Sequence, residues 1–331
     1  MAVLATVGYA YAAVFTRKHV AGSRSRLDKL ANDITTACQG GPLRNMPYPA
    51  ELFFARSCGA LILLLLASFV TAPISAQANG AESNEAFHLF NPVPRDQLRD
   101  FTPDRPGASE NPFTVDAGHY HLELGIGRFS HDDSDGVRTR ERAFAETKLR
   151  AGLVPWLELQ LVIEPYTRSE IEDADSEPVV DEGYRGTTLR LKANFWGNDG
   201  GPTALGLLPF VRFADDAVDF GLAVPFAMEL PLELDLGATL EADFVELDDR
   251  TRGVELSAAA GVGRDLAGPL GGSVELIGVY TAHHASESEL ASEIGLALAV
   301  LEDLQLDLSA RIGLAGPAAD IELFAGAAGR L

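Results

Sequence analysis

Two histidines and a glutamate stand at alternate positions in the segment AGHYHLELG: His119, His121 and Glu123. In an extended strand, residues two positions apart point to the same face, so these three side chains would lie together. Two imidazoles and a carboxylate could bind a transition metal. The same residues also suit a polar wall in contact with water. We expect the wall and no metal site.

A second candidate lies in the segment HHASESE, which holds His284, Ser286 and Glu287. Some barrel enzymes that trim lipids use a serine and a histidine on the outer surface of a strand. A nucleophile of this kind needs an adjacent base and an acid that orients the base. The segment is acidic and resembles an exposed loop, so we predict no catalytic residue and no enzyme. No cofactor is expected either, because glycine-rich phosphate loops and zinc-ligand spacings are missing from the sequence.

The elements that would carry such residues are β-strands. From about residue 118 to residue 331 the chain alternates between apolar and polar residues. In LELDLGATLEADF, for example, Leu234, Leu236 and Leu240 fall on one face, and Asp235 and Glu241 on the other. A period of two is the signature of strands with two unlike faces. We count about twelve such segments, many as long as the 9–11 residues that a tilted strand needs to cross a bilayer.

Alternation alone would also suit a secreted β-sandwich, in which the apolar face forms the core. The length of the segments and the lack of a helix to cover a sheet favour a barrel instead. Backbone polar groups in lipid must all be hydrogen-bonded, and a closed barrel achieves this with strands. The sequence therefore predicts an all-β fold, an antiparallel transmembrane β-barrel of about twelve strands over residues 113–331.

The N-terminal part predicts export. A basic residue, Arg56, precedes an apolar run over residues 59–70 and the sequence Ala76-Gln77-Ala78, which together form a secretory signal peptide. We expect cleavage after Ala78, with residues 46–78 as the signal peptide. Residues 1–45 are then an upstream extension that is not native to the mature protein, or half of a bipartite leader. A buried helix or a stop-transfer anchor is the other reading of the apolar run. Residues 79–112 predict an extended periplasmic lead-in.

Composition excludes several functions. The formal net charge of −22 becomes −26 once residues 1–78 are removed. Nucleic-acid phosphates attract basic proteins, so nucleic acid is not an expected partner. Both cysteines, Cys38 and Cys58, lie in the removed segment, so neither a disulfide nor a thiolate metal site is expected.

If the apolar parity faces lipid, charged side chains face the lumen. The predicted lumen-lining residues are His121, Glu123, Glu158, Glu164, Arg190, Lys192, Glu233, Asp235, Glu241, Asp243, Glu255, Glu275, Asp307 and Arg311. Acidic rings favour cations or neutral polar solutes over anions. The alternative is an interior filled by side chains, without a pore.

Three segments resemble a known family: TPDRPGASENPFTVDAGHYHLELG from Thr102, ALGLLPFVRFADD from Ala204, and FGLAVPFAMELPLELDLGATLEADF from Phe220. They are similar to outer-membrane, transporter-like proteins described as meta-pathway phenol-degradation proteins, and the resemblance covers most of residues 91–331. It implies a barrel that passes small, aromatic or hydrophobic molecules and carries out no catalysis.

Together these patterns predict a channel for passive uptake in the bacterial outer membrane. Its expected partners are outer-membrane lipid, small solutes and the barrel-assembly machinery. A closed barrel with a structural or adhesive role and a lipid-modifying barrel enzyme are the alternatives.

Overall fold

The computed structural model describes residues 87–134, 136–173, 176–214, 217–246, 252–282 and 287–331. The expected signal peptide and the residues before it therefore lie outside the described chain. No helix within the described ranges is long and apolar enough to cross a bilayer. In the described residues, a 3-10 turn, Arg95–Gln97, precedes the strands. The strands in the described residues are β1 (Tyr120–Ser134), β2 (Val137–Val154), β3 (Leu157–Glu164), β4 (Tyr166–Asp173), β5 (Val179–Gly183), β6 (Gly186–Trp196), β7 (Thr203–Ala214), β8 (Ala217–Leu230), β9 (Leu234–Glu246), β10 (Arg252–Ala267), β11 (Leu270–Ala282), β12 (Glu287–Leu301), β13 (Leu304–Ala315) and β14 (Ile321–Arg330).

These strands form a closed antiparallel barrel of twelve spans. β3 and β4 both pair with β2 and together make one span, broken only at Pro165. β5 and β6 pair with β4 and β3 in the same way and make the next span. β1 pairs with both β2 and β14, which closes the sheet on itself. The predicted fold class and strand number are confirmed.

The two faces of the wall differ as the alternation predicts. On β6, Arg190 and Lys192 are buried inside the barrel, while Leu189 and Leu191 are exposed on its outer surface. Aromatic side chains on the outer surface lie toward the two ends: Trp156 and Trp196 at one, Phe220 at the other. An apolar band between aromatic girdles is the outer surface of membrane barrels.

Because the apolar band faces lipid, the cost of placing a charge on it should depend on how deep the position lies in the membrane. Leu308 lies near the middle of β13, 61% exposed, whereas Leu301 is 66% exposed beside the turn after β12. We expect Leu308→Arg to lower the free energy of unfolding by about 2–4 kcal/mol, and Leu301→Arg by about 1 kcal/mol or less. Urea unfolding in lipid vesicles measures both. Equal losses at the two positions would contradict a membrane midplane at Leu308.

Along one line that crosses neighbouring strands of the wall, the alternation of inward-facing and outward-facing residues shifts by one position. In β1 an extra residue, Ile126, shifts the register between Gly125 and Gly127. Ala145 of β2 lies opposite it with a φ of 58°, and Pro165 is the next irregularity along the line. A one-residue shift exchanges the inward and outward faces of a strand. Glu123 before the line and Arg128 after it are therefore both buried inside.

Two prolines do not produce the irregularities that proline suggests. Proline within a sheet usually marks a bulge or a strand end, and Pro209 of β7 and Pro225 of β8 test this rule. Both lie inside their strands instead. The β6–β7 and β7–β8 ladders lose pairings beside them, but the register continues unchanged on both sides. A missing N–H removes a hydrogen bond without adding a residue, so the strand alignment survives.

Candidate functional site

The interior of the barrel holds a loop made by residues 99–116, which we call the inner loop. It begins and ends at the barrel end that carries the turn between β2 and β3, which we call the turn end. There, Arg99 Nε donates to Asp116 Oδ1 at 2.7 Å, which closes the base of the loop. The Arg99 guanidinium also donates to the carbonyls of Thr114 and Pro155. The base is thus tied both to itself and to the wall.

The tip of the inner loop contacts the wall on β10, β11 and β13. Arg105 forms an ion pair with Asp307 of β13 at 2.7 Å. On β11, Glu275 accepts a hydrogen bond from the Ser109 hydroxyl at 2.7 Å. Ala108 is fully buried in a small cluster with Ala259 and Ile277. The tip therefore lies against the wall on β10 to β13.

Two carboxylates of the inner loop lie among four buried cations, which we call the cation cluster: Lys148, Arg150, Arg190 and Lys192. Asp104 accepts from Lys192 at 2.8 Å and from Lys148 at 3.0 Å. Glu110 accepts from Arg190 at 2.7 Å and from Lys148 at 3.2 Å. All six side chains are 0% exposed. Buried charges of this kind must be paired, so the loop carboxylates neutralise the wall.

Arg150 has the most contacts in the cluster. It donates to Glu158 through Nε and NH2 at 3.0 and 3.1 Å, and to Glu123 at 3.1 Å. It also donates to the carbonyls of Thr102 and Phe113 on the inner loop. Arg150 therefore joins the acids of the wall to the backbone of the loop.

The surroundings of the loop carboxylates shift their acidity. Burial by itself raises the pKa of Asp104, but the positive charges of Arg150, Lys148 and Lys192 outweigh burial, and its pKa lies below the ordinary value. Burial likewise opposes the effect of Arg190 and Lys148 on Glu110, whose pKa also lies well below its usual range. Both groups are anionic whenever the loop is in place at neutral pH.

This gives a pH prediction. A carboxylate whose pKa is lower in the docked loop stabilises docking above its free pKa and loses that contribution as pH falls. We expect a nitroxide label on Thr102→Cys to keep the same mobility between about pH 8 and 5, and to become more mobile only below about pH 4. The same label in the Asp104→Asn, Glu110→Gln background should lose this transition. A transition that persists there would mean that other groups control docking.

Most of the predicted lumen residues lie inside the barrel. The structure buries His121, Glu123, Glu158, Arg190, Lys192, Glu241, Asp243, Glu255, Glu275, Asp307 and Arg311. Glu164 is half-buried and pairs with Arg212 at 3.0 Å. Arg190 and Lys192 of β6 belong to the cation cluster, and Glu123 of β1 and Glu158 of β3 pair with its Arg150. Arg311 instead pairs with Glu293 at 2.7 Å on β12.

Two of the predicted positions lie elsewhere. Glu233 is in the turn between β8 and β9, where its side chain is 91% exposed and 3.5 Å from Arg264. Leu232 and Glu233 both have positive φ, so the turn reverses the chain there and the strand begins only at Leu234. Asp235, one residue into the strand, is exposed at the same end. The interior placement predicted for Glu233 is wrong because alternation was extended through a turn, whereas Asp235 keeps the parity of the buried Glu241 and Asp243 but lies at the open end of the barrel.

The interior charges are distributed unevenly around the barrel. Acids on β9, β10 and β11 occupy one side: Glu241, Asp243, Glu255 and Glu275 are all buried. The cation cluster lies on β2 and β6, on the opposite side by strand order. The lumen therefore has an acidic wall and a basic wall.

Several interior residues were missed by sequence reasoning. The inner loop supplies Asp104, Arg105 and Glu110 from a stretch without periodicity, so nothing in its pattern signalled burial. Arg128 and Glu141 form a buried ion pair beyond the line where the alternation reverses. The glycines at positions 125 and 127 were the available signal, because glycine within a strand often marks a bulge.

The three residues of the candidate metal site have separate partners in the structure. His119 Nε2 lies 2.7 Å from the carbonyl oxygen of Val93, and His121 packs edge-on against Phe101. Glu123 pairs with Arg150 instead. The described residues contain no cluster of three potential metal ligands. His284 and Ser286 lie outside the described residues.

A small cavity of about 30 Å³ remains beside the loop tip. Arg105, Gly107, Arg128 and Glu146 are among the residues that line it. It has room for roughly one or two water molecules. With the loop in place, this space is too small for an organic solute.

Solved structures of outer-membrane proteins resemble this fold. An outer membrane channel from Pseudomonas putida F1 aligns with a TM-score of 0.55 and 12% identity, covering 69% of this chain and 99% of that one. The transport unit of the autotransporter AIDA-I from Escherichia coli gives a TM-score of 0.45 at 11% identity, covering 64% and 89%. The KdgM porin gives 0.39 at 6% identity, covering 63% and 98%. At these identities the likeness to the Pseudomonas channel shows the fold alone.

The search of curated proteins found no sequence relative. A family profile described as "Putative MetA-pathway of phenol degradation" matches residues 103–331. The match begins at the Pro-Asp-Arg-Pro segment of the inner loop and runs through all the strands. The resemblance seen in the sequence is confirmed, and the chain belongs to this family.

Proposed function

We propose that this protein is a channel of the bacterial outer membrane for the passive uptake of small aromatic or hydrophobic molecules, and not an enzyme. The turn end would face the periplasm, and the barrel-assembly machinery would insert the exported chain into outer-membrane lipid. Solutes would cross when the inner loop leaves the lumen. The acidic wall on β9 to β11 would remain after the loop has left.

One observation carries this proposal. At the cation cluster, the inner loop closes the lumen, and the side chains of the wall do not. The inner loop holds its place through side-chain ion pairs and isolated hydrogen bonds, without joining the strand ladders. Such contacts can be exchanged without breaking the barrel. A wall filled by its own side chains would offer no comparable opening.

The base of the loop provides the test. Asp116→Asn removes the charge that holds Arg99, and Gly152→Ala places a methyl group against the Asp116 carbonyl without changing any charge. We expect both variants to open more often than the wild type in planar bilayers. Glu233→Gln is the matched control, since this acid pairs with Arg264 at the same end, 3.5 Å away, without contacting the inner loop.

The same bilayer experiment tests the second candidate function, a closed structural barrel. The filled interior favours this candidate. A closed structural barrel would give no current for the wild type or either base variant, at any salt concentration. In that case the channel proposal fails.

A further inference from the structure

We propose that the cation cluster binds the carboxylate group of a permeating solute, and that Asp104 and Glu110 occupy this site in the solute's absence. The inner loop would then mimic a small organic acid. This inference rests on the proposed channel function and adds a substrate class to it: a monocarboxylate with an apolar body. It differs from the preference for cations that the acid content of the sequence suggests.

The first argument is geometric. Each loop carboxylate is held by two cations from different wall strands: Asp104 by Lys148 and Lys192, and Glu110 by Lys148 and Arg190. The distances run from 2.7 to 3.2 Å, the range of charge-assisted hydrogen bonds. Only the carboxylate groups are needed for these contacts. Any carboxylate of suitable size could replace them.

The second argument is unused binding capacity. Arg190 is fully buried, and it donates to Glu110 through NH1 only. Its Nε and NH2 atoms are buried and have no hydrogen-bond partner among the described residues. Buried donors are normally satisfied, and a guanidinium matches a carboxylate with two parallel hydrogen bonds. The site therefore offers more donors than the loop uses, as expected for a site that also receives another ligand.

The third argument is charge balance. If the loop leaves, Glu123 and Glu158 are the acids of the described wall that remain within 4 Å of the four cations. Leaving buried cations without partners is costly. Exchange of the loop for a carboxylate solute avoids that cost, whereas a neutral or cationic solute does not. Opening would then be coupled to the arrival of an anion.

Apolar side chains beside Arg190 define the rest of the solute. Its guanidinium lies 5.6 Å from the centre of the Phe210 ring, and Leu208 of the same strand is fully buried. An apolar or aromatic body could pack there while its carboxylate contacts Arg190. Beyond the site, Glu241 and Asp243 of the acidic wall would disfavour solutes with several negative charges.

Planar bilayers with sodium benzoate test the inference, with benzylammonium chloride as the cationic counterpart of the same shape. Benzoate should raise the open probability of the wild type, and benzylammonium should not. Under a sodium benzoate gradient, we expect the reversal potential to show benzoate permeating better than sodium. Arg190→Gln should lower that permeability ratio by about tenfold, from the loss of one charge-assisted contact. Arg190→Lys, which keeps the charge, should lower it less.

The loop side of the site has its own variant. Asp104→Asn with Glu110→Gln should raise the open probability without benzoate. Asp133→Asn with Glu172→Gln removes the same two kinds of acid from a half-exposed cluster around Arg138 and should behave like the wild type. Mobility in unheated electrophoresis identifies variants that fail to fold. The comparison of benzoate with benzylammonium on the wild type needs no variant.

The outcomes separate the two proposals. Equal effects of benzoate and benzylammonium, or an unchanged ratio in folded Arg190→Gln, would overturn the carboxylate site and leave the channel standing. No current from the wild type, the base variants and the Asp104, Glu110 variant would overturn the channel itself.

Discussion

Replacing residues 101–114 by a short Gly-Ser linker is expected to raise the single-channel conductance at least about tenfold, since a twelve-span barrel without its filling is wide enough for a water-filled path. The linker keeps Arg99 and Asp116, so the base of the loop stays closed. The deletion removes Asp104, Arg105 and Glu110, whose side chains are buried inside the barrel. Conductance in planar bilayers, measured at several salt concentrations, is the readout.

A cross-linked variant provides the control for this deletion. Ser109 and Glu275 are in side-chain contact, so cysteines at both positions can be joined by a short, reducible thiol linker. The cross-linked protein should conduct less than the same protein after reduction. If deletion leaves the conductance at the wild-type level, the inner loop is not what closes the lumen.

Arg150→Met is expected to destabilise the barrel by about 3–5 kcal/mol, the usual consequence of removing one partner from a buried ion network. The variant leaves Glu158 without its two hydrogen bonds from Arg150 and leaves Glu123 without its closest cation. It also frees the carbonyls of Thr102 and Phe113. The loss should therefore appear both in urea unfolding and in more frequent opening.

Arg138→Met is the matched control for this prediction. Arg138 also contacts two acids, Asp133 and Glu172, but on the surface, where water screens the pair. We expect no measurable loss of stability from it. A similar loss in both variants would show that burial of the cation cluster does not determine its contribution.

The strands were largely predictable from the sequence because their alternation is a physical requirement of a wall between lipid and an interior. The alternation of Leu189, Arg190, Leu191 and Lys192 identified both faces of β6 correctly. It failed where geometry changes within a strand. The extra residue at Ile126 and the left-handed Ala145 exchange the two faces. A pattern that assumes one parity from end to end does not locate such a shift.

The inner loop could not be predicted in the same way. Its residues are polar, rich in proline and without a period, as in a segment that stays in water. What buries Asp104 and Glu110 is the cation cluster, whose members lie some 40 to 90 residues away along the chain. A single sequence contains no local signal for such pairs. Arg190 and Lys192 were recognised as inward-facing, but not the acids that neutralise them.

The topology of the inner loop has a consequence for assembly. Both of its arms leave the barrel through the turn end, beside the start of β1, and no described segment between residues 87 and 331 threads the lumen from end to end. The loop can therefore fold back into an already closed barrel as a hairpin. It can also withdraw while the seam between β1 and β14 stays intact. Insertion into the membrane and closure of the lumen are thus separable steps, and the barrel can repeat the second without undoing the first.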